Sequence, residues 1–204
     1  MLFRSVPAQV SIIDRKGKSS SLPAVAEFKC TTKAVEISKW CKPPPDWIKL
    51  NTDASFYPAD GSSTVGAIAR DHLGNVIMAA FARLPVCSDA EEAEARAMLF
   101  GINAIKDLSW SSLIIELDCA VVANALRSRS PDRSLNWATI EEAKSILGQK
   151  AYNISTIRRS ANAAADSLAK MARTKGNKRF TESFPDHIRE LASYDIEDVV
   201  PTIM

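Results

Sequence analysis

Trp47-Ile48-Lys49-Leu50-Asn51-Thr52-Asp53, then Val65-Gly66-Ala67-Ile68-Ala69-Arg70, then Val76-Ile77-Met78-Ala79-Ala80-Phe81-Ala82-Arg83 form three β-rich runs in close succession. Asp71-His72-Leu73-Gly74-Asn75 lies between the second and third with the residues of a tight turn. Three strands joined by short loops predict an antiparallel meander.

Downstream the period changes. Ser88-Asp89-Ala90-Glu91 has the form of a capping box, in which Ser88 bonds the amide three residues on and Glu91 reaches back. A helix is expected from there to about Leu108. Leu113 to Asp118 reads as a short apolar strand, Ala120 to Arg127 as helix, and, after Ser130-Pro131-Asp132, Leu135 to Leu147 as another helix. A strand around Tyr152 to Ile157 and a helix from about Ala161 to Ala172 complete the series. Strand-helix-strand crossovers after a meander predict an α/β fold with a five-stranded mixed sheet, three strands antiparallel and then two parallel, flanked by helices. In sheets with parallel crossovers, sites form at the carboxyl ends of strands.

On either side of this block the pattern fades. Residues 1–46 carry eight Lys/Arg against four acids and end in Lys42-Pro43-Pro44-Pro45-Asp46, so they read as a flexible basic arm and proline-rich linker. The folded domain is expected over 47–175, and 176–204 as a tail with a short helix. The whole chain, 204 residues with 46% hydrophobic and 25% charged residues, has an ordinary globular composition and a net charge of only +2. No stretch approaches the roughly 18 apolar residues of a membrane span. Cys30, Cys41, Cys87 and Cys119 show no CxxC pair, and His72 and His187 are far apart, which argues against zinc. Reduced thiols fit an intracellular protein of the nucleus or cytoplasm, with the Arg4-containing start compatible with an organelle transit peptide.

Four carboxylates stand at element ends. Asp53 closes the first run and Asp118 the fourth strand; Glu94 heads the helical stripe Met98, Gly101, Ile102, Ile105; Asp166 lies on the last helix between Asn162 and Lys170. Converging carboxylates repel one another, and their simplest partner is a divalent cation. All-oxygen ligands select Mg²⁺ or Mn²⁺, and two such ions about 3.5–4 Å apart suit phosphodiester hydrolysis. Any one of these acids, taken alone, is better read as a cap or a surface charge.

Taken together, Asn51-Thr52-Asp53-Ala54-Ser55, Ala93-Glu94-Ala95-Arg96-Ala97, Glu116-Leu117-Asp118-Cys119 and Arg159-Ser160-Ala161-Asn162-Ala163-Ala164-Ala165-Asp166-Ser167-Leu168-Ala169-Lys170 resemble the type 1 ribonuclease H domain. More narrowly, they resemble plant ribonuclease-H-like proteins related to the domain of non-LTR retrotransposon reverse transcriptases. The resemblance spans about Trp47 to Ala172. It implies endonucleolytic hydrolysis of the RNA strand of RNA/DNA hybrids with two Mg²⁺ ions, Mn²⁺ able to substitute. Asp53, Glu94, Asp118 and Asp166 would be the catalytic and metal ligands, with Asp53 bridging both ions. Ala54, Ser55 and Asn162 would lie against the substrate, and the protein would act as a monomer on nucleic acid away from membranes.

Some positions depart from that family. Ala54 stands where glycine is frequent, Cys119-Ala120 replaces a polar pair, and Thr156 occupies the place of a loop histidine that assists proton transfer. These changes imply slower cleavage, and they motivate a second reading: a catalytically weak or inactive retroelement-derived nucleic-acid-binding module. Trp47, Trp110 and Trp137 are expected in the core, Glu116 is read as non-catalytic, and the basic cluster Arg173, Lys175, Lys178 and Arg179 as solvated surface able to meet phosphates.

Overall fold

The computed structural model describes residues 11–13, 19–21, 39–128, 134–148, 150–194 and 196, in two compact units, 1–36 and 37–204. In the first unit, β1 (Ser11–Ile13) pairs antiparallel with β2 (Ser19–Ser21). Most of the expected arm, together with Cys30, the Ser130-Pro131-Asp132 loop and the end of the tail, lies outside the described residues.

The second unit begins its sheet with the meander: β3 (Trp47–Tyr57), β4 (Ser62–Arg70) and β5 (Val76–Leu84) pair antiparallel in sequence order. Helix α1 (Ala90–Ile105) leads to β6 (Ser112–Leu117), which lies parallel to β3. Helices α2 (Ala120–Arg127) and α3 (Trp137–Leu147) precede β7 (Ala151–Thr156), parallel to β6. A short 3₁₀ turn (Arg159–Asn162) then enters α4 (Ala163–Lys175). The sheet does not stop at five strands. β8 (Lys178–Phe180) adds a sixth against Ala79–Phe81 of β5, and α5 (Asp186–Tyr194) follows. Strand order across the sheet is β7-β6-β3-β4-β5-β8. Among the described residues no helix is long and apolar enough to cross a membrane.

Helices cover both faces, and the side-chain alternation of the strands decides what each covers. Leu50, Ala67, Ala69, Met78 and Ala80 pack with Met98, Ile102 and Ile105 of α1. Ile68, Ala79 and Phe81 point the other way, into Ala165 and Leu168 of α4 and Ile188 of α5. Helices α1 and α4 each meet the central strands at a glycine. A Cβ on Gly101 would lie 2.4 Å from Thr52 Cγ2, and one on Gly66 would lie 2.3 Å from the Ala165 carbonyl oxygen and 2.4 Å from the Ala169 nitrogen. Because the second obstruction is backbone, Gly66→Ala is expected to push α4 off the sheet and cost about 3 kcal/mol, the upper end of overpacking penalties. Urea unfolding of the variant measures this directly.

Local signals resolve differently from the sequence reading in three places. The N-cap of α1 is Asp89, which accepts from the Glu92 amide at 2.8 Å, while the Glu92 carboxylate accepts from the Ser88 backbone amide at 2.7 Å. The capping pair is thus one residue later than Ser88/Glu91. Trp137 is 52% exposed rather than core, and Trp110 sits at the core edge with its Nε1 donating to the Ile105 carbonyl at 2.9 Å. Trp40, ahead of the triple proline, is 1% exposed and stacks on the Arg70 guanidinium at 3.6 Å. Trp40→Ala is expected to destabilise this unit by about 3–5 kcal/mol, as for other buried aromatics; a thermal melt within a few degrees of wild type would contradict it.

Candidate active site

Strand register brings the acids together. Asn51 of β3 is abreast of Glu116 of β6 in the parallel pair, so two residues further on Asp53, in the second half of β3, comes level with Asp118, just past the carboxyl end of β6. Glu94, one turn into α1, reaches the same point. Ligand oxygens of Asp53, Glu94 and Asp118 all lie within 4.8 Å of one another.

Crowding and burial act on this triad together. Burial, then Asp118 and Asp166, push the Asp53 carboxyl up to about 8, against the pull of Arg159 and Lys170. Burial, then Asp53 and Asp118, push Glu94 up to about 9, opposed by a backbone hydrogen bond from Ala54. Asp118 is raised as well, mainly by burial. Carboxylates packed in this way need either protons or cations.

Asp166 stands beside the triad on α4. Its carboxylate accepts from Lys170, one helical turn on, and from Arg159 Nη2 at 3.4 Å. It is close enough to raise Asp53. Arg159, which the sequence reading did not single out as a site residue, faces all four acids: its charge bears on Asp53, Glu94, Asp118 and Asp166. Its signal in the sequence is that it opens the motif ending in Lys170, seven residues before Asp166, just ahead of α4.

The three expected substrate residues have different settings. Ser55 is half-buried, Ala54 is buried, and Asn162 is wholly buried. The Asn162 amide donates to the Thr52 carbonyl at 2.9 Å and to Asp53 Oδ1 at 3.4 Å, and also bonds Asp118. Asn162 therefore holds the acids in place. Glu116, as read, is not part of the triad: its carboxylate pairs with Lys49 at 2.7 Å and accepts from Asn51 at 3.0 Å. Thr156 is exposed at the end of β7, abreast of Leu117. In the basic cluster, Arg179 donates to the Ala104 carbonyl at 2.8 Å and Arg173 stacks on Tyr57 at 3.9 Å, which leaves Lys175 and Lys178 as free-standing exposed cations of that group.

The donor set fits a hard divalent cation. Asp53 Oδ2 and Asp118 Oδ1 are buried acceptors without a hydrogen-bond partner, in a cluster whose ligands are all oxygens. Unpartnered buried carboxylate oxygens are costly unless a cation meets them.

A family model described as reverse transcriptase-like matches residues 51–172. No curated protein matches the chain. Among solved structures, ribonuclease H1 from Halobacterium salinarum is 18% identical, with a TM-score of 0.58, over 64% of this chain and 99% of that one. The N-terminal ribonuclease H domain of a Mycobacterium tuberculosis protein gives 18% and 0.56, over 62% and 92%. LC11 ribonuclease H1, solved in complex with an RNA/DNA hybrid, gives 18% and 0.55, over 63% and 97%. The similarity at this level is one of fold: a ribonuclease H-like sheet and helices.

Proposed function

The chain belongs to the reverse transcriptase-like family, and from that premise we propose that it hydrolyses the RNA strand of RNA/DNA hybrids, using two divalent cations, Mg²⁺ or Mn²⁺, held by Asp53, Glu94, Asp118 and Asp166. One observation carries the reading: three carboxylates with ligand oxygens within 4.8 Å, two of those carboxylates bearing unpartnered buried oxygens, where the carboxyl end of β6 comes level with Asp53 of β3. The solved LC11 enzyme of the same fold was captured on an RNA/DNA hybrid, which supports the substrate class.

What the cations supply when bound is a water of lowered pKa and positive charge at the leaving oxygen. The rest falls to the chain. Asp53, central to the cluster and 1% exposed, is fixed by Asn162 on one oxygen and leaves the other for ligation. Asp166 would complete the ligand set, and its two exposed partners, Lys170 and Arg159, stand at the mouth of the cluster, where they would meet the phosphates of the strand. Half-buried Ser55 at the rim faces the same strand, where the 2′-hydroxyls of a wide minor groove distinguish RNA from DNA. With Thr156 in place of a titrating side chain, proton transfer to and from bulk water is left to solvent, which sets a slow rate.

The test is a substrate panel: an RNA/DNA hybrid, duplex RNA, duplex DNA, and a hybrid whose RNA strand carries deoxynucleotides around one position. Cleavage of the first alone, with protection at the deoxy position, is the expected result. Equal cleavage of duplex RNA or DNA would overturn the substrate assignment.

A further inference from the structure

The sheet face beneath α4 and α5 is not uniformly apolar. Lys49, Asn51 and Asp53 alternate with Ile48, Leu50 and Thr52 along β3 and so share one face, and Arg70, paired with Lys49 on β4, joins them. All four are buried, Arg70 completely. Burying a guanidinium, an ammonium and the Glu116 carboxylate in one patch is expensive unless each is hydrogen-bonded. Here they are bonded in a chain that ends on the catalytic acid.

The chain has a defined direction. Arg70, which can only donate, gives Nη1 to the Ala192 carbonyl of α5 at 3.1 Å and Nη2 to Asn51 Oδ1 at 3.2 Å. That leaves the Asn51 amide nitrogen pointing the other way, donating to Glu116 Oε2 at 3.0 Å and to Asn162 Oδ1 at 3.3 Å. The Glu116 carboxylate, paired with Lys49 at 2.7 Å, accepts from Asn51, which fixes the same orientation from the far side. With its oxygen committed to Asn51, Asn162 must turn its own amide nitrogen to Thr52 O and Asp53 Oδ1. Trp40 closes the outer end by stacking on Arg70.

We propose that Arg70 and Asn51 are positioning residues: the relay Arg70, Asn51, Asn162 fixes a donor on Asp53 Oδ1 and so presents Oδ2 alone for ligation. The proposal rests on the reading of Asp53 as a cation ligand, but its first half does not need a cation. If the amide of Asn51 is lost, Asn162 Oδ1 loses its donor, and the Asn162 nitrogen is held toward Asp53 only by its own acceptors, Thr52 O and the carboxylates, so the side chain is fixed at one end instead of two.

The experiment compares wild type with Asn51→Leu and Arg70→Lys, with Asp53→Asn as reference. Two quantities are read: exchange of the Asn162 side-chain NH₂ by nitrogen-15 NMR on cation-free protein, and Mn²⁺ affinity by calorimetry. The relay predicts slow Asn162 exchange in wild type, at least about tenfold faster exchange and about tenfold weaker Mn²⁺ binding in Asn51→Leu, the scale of one lost buried hydrogen bond. In Arg70→Lys, which keeps a donor, both are expected to return most of the way to wild type. Should Asn51→Leu fail to fold, Arg70→Met cuts the relay one step earlier and is read in the same way. Wild-type exchange and affinity in a folded Asn51→Leu would overturn the relay. Loss of Asn162 protection in a protein that binds no Mn²⁺ even as wild type would keep the relay and remove the metal reading instead.

Discussion

Asp53→Asn is expected to reduce cation-dependent hybrid hydrolysis by at least about 10³-fold, on the scale of losing a principal electrostatic group from an active site. The same variant is expected to melt at a higher temperature than wild type in the absence of cations above about pH 8, where the Asp53 carboxyl is ionised. Both follow from one fact: Asp53 is buried against Glu94 and Asp118 with an oxygen that no protein group satisfies. The amide of Asn has nearly the shape of the carboxylate but carries no charge, so it ends the repulsion and the ligation together. Single-turnover rates and thermal melts check the two halves. A variant that keeps activity within about tenfold, a barrier change of some 1.4 kcal/mol, would mean that Asp53 is not at the chemical centre.

The second large effect is an inversion of pH dependence. Without cations, Asp53 titrates at about 8 and Glu94 at about 9, whereas both titrate near 4 in the unfolded chain. Between those limits the native state binds more protons than the unfolded state, so stability falls as pH rises. The contribution of these protonated acids is fully present below the unfolded values and is lost as pH climbs through about 8 and about 9. Cations compete with those protons and hold the carboxylates ionised, so with saturating Mn²⁺ the slope reverses and stability rises with pH. Urea melts at about pH 5.5 and about pH 8.5, in chelator and in Mn²⁺, should differ by several kcal/mol in opposite directions. Parallel pH profiles in the two buffers would show that the triad does not ligate the ion.

Much of the frame was legible because it depends on local pattern. The meander, α1, β6, α2 and β7 follow period and turn chemistry, and their bounds agree with the reading to within a few residues at most ends. What escaped depends on distant partners. β8 is a charged tripeptide, Lys178-Arg179-Phe180, with no periodicity of its own; it is a strand because β5 offers it an open edge at Ala79–Phe81. Trp40 precedes three prolines and reads as linker, and Arg70, on a strand beyond the next one, gives its ring a cation to stack on, with Lys49 alongside. The cap of α1 moved by one residue because Ser88 and Asp89 are both good cap formers, and geometry chose between them.

The four acids could be picked out by type and by family resemblance, and the structure brings three of them into one cluster with Asp166 alongside. Asn162, expected to lie against substrate, is also wholly buried beside Asp53 and donates to it. The sequence offers no sign of this, since an asparagine before a helix suits solvent, substrate or core equally well. Lys49, Asn51 and Arg70 were equally silent: polar residues at alternate strand positions ordinarily signal a solvated face. Here the face is closed by Trp40 and Asn162, and the polar groups satisfy one another.

The most direct test of the central claim is cleavage of a hybrid labelled on either strand by purified wild-type protein, with and without Mg²⁺ or Mn²⁺. Cation-dependent scission confined to the RNA strand is the expected result. A folded protein that binds the hybrid yet leaves both strands whole in either metal would contradict it, and would make the acidic cluster part of a binding module.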